Sequence, residues 1–198
     1  AFLQKNNVRI GDVVKVMVIV GFPITVVLSM YANKIIYFLY GDAYVLGSTS
    51  FRVLSLSVLF VFIRTPFAYY FLACEKQISH MKIFIAGTIA NILLNFLFIP
   101  NYSLVGAAVA TVITDFMILG CFYIVSRKVV NVNISSTILK SFLCSTVMCS
   151  ILLLFNSNLF ISFVFAFVIY LLLSFAVKLI TLKDVLYFKK IFLRQADI

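Results

Sequence analysis

The chain has 198 residues, of which 64% are hydrophobic and 11% charged. Soluble domains carry about 25% charged residues and roughly half apolar ones, so the composition excludes a soluble enzyme, a disordered tail and a nucleic-acid-binding module. Lys and Arg number 16 against 6 Asp and Glu, a net charge of +10; because the cations stand between apolar runs, their partners are anionic lipid headgroups.

The first fifteen residues, AFLQKNNVRIGDVVK, mix polar and apolar side chains and read as an internal loop leading into a helix. The chain is therefore expected to be the carboxyl-terminal part of something longer. A bilayer core about 30 Å thick needs roughly 20 apolar helical residues, and six such runs follow. The first extends from Val13 to Tyr40, uncharged from Val16 to Ala32, and ends at Gly41-Asp42. The second, Phe51 to Cys74, contains Arg64 and ends at Glu75-Lys76-Gln77. The third, Ile78 to Ile99, stops at Pro100-Asn101. The fourth, Leu104 to Val125, has Asp115 at its centre. Arg127-Lys128 and a polar stretch lead to the fifth, Ile138 to Phe155. Asn156-Ser157-Asn158 turns into the sixth, Leu159 to Ile180. In the tail, Leu182, Val185, Leu186 and Phe192 recur among Lys183, Lys189, Lys190 and Arg194. They form either a helix lying in the interface or a solvated basic end.

Six spans place both termini on one side. That side holds every Lys and Arg except Lys34, Arg52 and Arg64. By the positive-inside rule both termini are expected to be cytoplasmic.

Polar side chains inside spans face a bundle interior or a cavity. Arg64, followed by Thr65-Pro66, is either a cavity cation for an anionic headgroup or one half of a structural ion pair. A kink is expected at Pro66. Asp115 is Arg64's partner or a proton-coupling carboxylate. Gly106, Ala110 and Thr114 make a small-residue face suited to close helix packing. Gly87, Asn91 and Asn95 share one stripe, and the two amides either bond neighbouring helices or line a cavity. Lys34 either snorkels to the surface or lines the same cavity.

No residue set suggests catalysis or a bound cofactor. His80 is the single histidine, so a metal site is not expected. Cys74, Cys121, Cys144 and Cys149 lack CxxC spacing, and Cys144 and Cys149, within an apolar helix, read as small core residues.

Three passages carry a family resemblance. Pro23 to Ile35 with Tyr40-Gly41-Asp42-Ala43-Tyr44, the helix end Asn91-Ile92-Leu93-Leu94-Asn95-Phe96-Leu97-Phe98-Ile99-Pro100, and Asn101-Tyr102-Ser103-Leu104-Val105-Gly106-Ala107-Ala108-Val109-Ala110-Thr111 resemble polysaccharide (Wzx-type) flippases. These belong to the multidrug/oligosaccharidyl-lipid/polysaccharide exporter superfamily. Residues 91–111 are the most specific part, and Ser103 departs from the pattern where glycine is usual.

The resemblance implies an all-α polytopic membrane protein matching the last six helices of a fourteen-helix exporter. Residues 1–126 would be four helices of the second bundle, and 127–198 two additional helices with a basic cytoplasmic tail. The amino-terminal bundle would be supplied by the missing part of the same protein. Such members move a polyprenyl-pyrophosphate-linked glycan across the cytoplasmic membrane, and a cavity cation, Arg64 or Lys34 here, would receive the pyrophosphate. A small-cation exporter of the same superfamily and a non-transporting accessory subunit are the rival readings. The former would favour acidic cavity residues over basic ones.

Overall fold

The computed structural model describes residues 10–126, 135–154, 159–177 and 179. Their regular elements are all helical: α1 (Ile10–Met30), α2 (Ala32–Tyr40), a 3-10 segment (Asp42–Gly47), α3 (Ser48–Ala73), α4 (Gln77–Ser126), α5 (Ser135–Leu154) and α6 (Leu159–Ala176). Helices satisfy every interior peptide group within the segment, which is what apolar lipid demands. The chain falls into two compact units, residues 1–136 and 137–198.

In the first unit, α1 has 21 residues, about 31 Å at 1.5 Å per residue, enough to cross a bilayer. The long first span expected to Tyr40 is thus two helices. They join at Tyr31 (φ −96°, ψ 14°), where the bonds Tyr31 N–H to Val27 O and Ile35 N–H to Tyr31 O continue the ladder. Gly41, at φ 81°, closes α2 by donating to Tyr37 O. A positive φ of this size with extended ψ is open to glycine because it lacks a Cβ.

α3 runs back along α1. Gly21 allows the approach: a Cβ there would lie 3.2 Å from both Leu59 Cδ1 and Phe62 Cβ. Near the other end Arg52 Nε donates to Ser29 O at 3.2 Å. Pro66 lies within α3, which stays helical to Ala73, and the hydroxyl of Thr65 donates to Val61 O at 2.6 Å.

α4 has 50 residues, about 75 Å of helix if straight, more than twice what a bilayer needs. It doubles back at Ser103 (φ 50°, ψ −127°), giving a first arm over 77–102 and a second over 104–126. Side chains meet across the arms: His80 and Phe84 with Phe122, and Asn91 with Thr114. The expected stop at Pro100 is displaced by three residues. A proline's φ suits a helix and costs one hydrogen bond there, whereas reversal needs a positive-φ residue, and Ser103 supplies it.

A core of Ile10, Val14, Val18 and Phe22 from α1, Ile63, Phe67 and Phe71 from α3, and Ile118 and Phe122 from the second arm fills the end of this unit away from Ser103. The spacing of four within each helix is the apolar stripe of a packed helix.

In the second unit Cys144, Met148 and Leu152 form a buried stripe on α5. The buried Tyr170 of α6 sets its hydroxyl against Ser141, Ser145 and Ser174. Lys140 Nζ donates to Val177 O at 3.2 Å. The basic tail and the 127–134 connection lie outside the described residues.

Candidate functional site: an ion pair inside a helical hairpin

Three segments meet at Arg64. It projects from α3, Asp115 comes from the second arm of α4, and Phe84 from the first. One guanidinium nitrogen, Nη2, lies 3.3 Å from Asp115 Oδ1, and the two side chains are 16% and 13% exposed. The guanidinium carbon stands 5.1 Å from the centre of the Phe84 ring, within cation–π range. Phe84 in turn packs on His80 and Phe122. Among the described residues nothing accepts from the buried Nε of Arg64.

One residue before Asp115, Thr114 begins a second polar set. Asn91 Nδ2 donates to Thr114 Oγ1 at 3.3 Å, and Asn95 Nδ2 donates to Asn91 Oδ1 at 2.9 Å. Thr114 Oγ1 donates on to Ala110 O at 2.7 Å. The Asn95 carbonyl oxygen is buried without a donor among the described residues. The Asn stripe therefore binds the hairpin's own arms together and still holds one unused acceptor.

Of the five residues singled out in the sequence, four fall on this hairpin and its α3 neighbour: Arg64 pairs with Asp115, and Asn91 bonds Asn95. Lys34 stands apart. It is exposed on α2, with Nζ 5.5 Å from the centre of the Tyr31 ring. Sequence reasoning missed Phe84 and marked Thr114 only as part of a small-residue face, not as the acceptor for Asn91. Phe84 is one of 22 phenylalanines and carries no mark in the sequence. The bond between Asn91 and Thr114 emerges only when 91 is folded against 114, which the turn at 100–103 suggests.

Chemically the layer offers a guanidinium whose Nε–H has no acceptor among the described residues, a carboxylate and amides, set in helices long and apolar enough to cross a membrane. Its donors and acceptors suit an anionic or hydroxyl-rich group.

These helices define an all-α, multi-pass membrane protein. The family model described as lipid II flippase MurJ matches residues 3–179, and the chain belongs to that family. A solved structure, the lipid II flippase MurJ in its inward closed conformation, shares the fold with a TM-score of 0.73 at 23% identity. The alignment covers 89% of this chain and 39% of that one, so the chain spans about two-fifths of the solved protein's length. No curated protein matches. The family is one of flippases, hence transporters rather than enzymes, within the exporter superfamily that the sequence resembles.

Proposed function

We propose that the chain forms part of a flippase that carries a polyprenyl-diphosphate-linked glycan, lipid II foremost, from the inner to the outer leaflet of the cytoplasmic membrane. The observation that carries the reading is the family match over residues 3–179. The physical task is to shelter a hydrophilic headgroup while the polyprenyl tail stays in lipid. A cation at membrane depth suits the diphosphate, since guanidinium groups bind phosphate oxygens through two N–H donors at once. Arg64 takes that role. Asn91 and Asn95 offer hydrogen bonds to the glycan, and Lys34 meets the anion near the outer face. The remaining cavity wall comes from the other bundle of the protein, and both termini are cytoplasmic.

A second reading, a polysaccharide repeat unit as cargo, draws on the likeness of residues 91–111 to the Wzx-type pattern. A cation exporter is disfavoured because Asp115 already faces Arg64.

Purification in mild detergent followed by mass spectrometry of the retained lipid tests the reading. Lipid II is expected. A polyprenyl diphosphate bearing a different glycan would move the assignment to the polysaccharide branch. Retention of no prenyl diphosphate would contradict both.

A further inference from the structure

We infer that Asp115 is a resident counter-ion that the substrate's diphosphate displaces from Arg64, so that substrate binding unlatches α3 from the second arm of α4. The inference rests on the substrate class proposed above.

The pair is built for exchange. Nη2 and Oδ1 stand 3.3 Å apart, beyond the roughly 2.7–2.9 Å of a strong charge-assisted bond. Arginine presents five N–H donors in a planar fork. Asp115 faces one of the guanidinium nitrogens, Nη2, and the buried Nε finds no acceptor among the described residues. A buried donor left unmade is unfavourable, so a second anion with several oxygens gains where the carboxylate does not reach. A diphosphate has those oxygens and more negative charge than one carboxylate.

Phe84 supplies the other half of the device. It holds the guanidinium from the first arm, 5.1 Å from ring centre to Cζ. When the carboxylate leaves, Arg64 keeps its place over the ring. What is lost is the bond between α3 and the second arm. Pro66, two residues beyond Arg64, removes a backbone donor from α3, so the helix yields most easily beside the latch. A ligand shifts a conformational balance only by preferring one state. Here the preference is explicit: the diphosphate binds the state in which Asp115 has let go.

The protein as expressed from its gene, with its Asp115 variants, is reconstituted in phosphatidylcholine nanodiscs and titrated with geranylgeranyl diphosphate, geranylgeraniol serving as control. Asp115→Asn removes the competing charge, so the diphosphate should bind about tenfold more tightly, a difference of ~1.4 kcal/mol. Asp115→Glu keeps the charge on a longer arm that reaches a second N–H, so binding should weaken about threefold. The gain in Asp115→Asn should vanish when combined with Arg64→Gln. Affinities equal to wild type in both Asp115 variants would overturn the inference and leave the proposed substrate class standing. Should Asp115→Asn fail to accumulate, Asp115→Glu decides alone: unchanged or tighter binding overturns the inference. A wild-type protein that binds the diphosphate no better than the alcohol would overturn the substrate class itself.

Discussion

Arg64 is costly to bury and was legible for that reason: opposite charges inside two apolar spans are expected to find each other. Their meeting at 3.3 Å makes removal of one partner the sensitive experiment. Arg64→Ala leaves Asp115 alone in a largely buried site, at a cost of roughly 3 kcal/mol. Membrane abundance should fall, and Arg64→Ala with Asp115→Ala should restore abundance without restoring transport. Immunoblots of membranes beside a complementation assay separate the two effects, and normal abundance of the single variant would refute the cost. The cation–π contact with Phe84 was not legible, because every phenylalanine in an apolar run looks alike until the fold picks one.

Ser103 is legible in a different way. It stands where the resembling pattern has glycine, and its φ of 50° and ψ of −127° show why glycine is usual there. A residue with a Cβ pays to occupy that region. Ser103→Gly should raise stability by about 1 kcal/mol, read as a higher unfolding temperature in detergent. Ser103→Val should lower it. A lower unfolding temperature for Ser103→Gly would mean that the hydroxyl outweighs the backbone.

At the scale of the element, the hairpin of α4 depends on small residues that the sequence marked and on contacts that it did not. A Cβ at Gly106 would run into the backbone carbonyl of Phe98, which cannot move without opening the turn. A Cβ at Gly87 would come 2.5 Å from Ile118 Cδ1, the movable tip of a side chain. At Gly120 it would meet nothing within 4 Å. The predicted order is therefore fixed by what must shift. Gly106→Ala should cost about 3 kcal/mol, Gly87→Ala about 1, as overpacking does, and Gly120→Ala should be neutral or slightly stabilising. Thermal unfolding of the three purified variants gives the order directly, and equal effects at 106 and 120 would contradict the close approach. The helix spans were plain from hydropathy, since lipid leaves one solution for a long apolar run. Their ends were less plain. Pro100 looked like a stop because proline often is one, yet the chain turns where the backbone reaches positive φ. The first span hid a junction at Tyr31 because apolar residues continue through it.

For the whole molecule, the charge of +10 and its asymmetric placement predict that a cysteine introduced at position 198 is shielded from membrane-impermeant reagents outside intact cells; labelling there would reverse the orientation. The chain spans 39% of the solved flippase's length. On the proposed two-bundle cavity, the 198-residue chain alone, reconstituted in liposomes, should not flip prenyl diphosphates, and robust flipping by it would show that one bundle suffices. The most direct test of the central proposal is leaflet exposure of lipid II. In cells depleted of their own lipid II flippase, the protein that carries this chain is supplied, and lipid II reached by an enzyme acting only at the outer leaflet is measured. Exposure should return with the wild-type protein and not with the Arg64→Ala, Asp115→Ala double variant at equal abundance. Lipid II that stays in the inner leaflet with abundant wild-type protein would contradict that proposal.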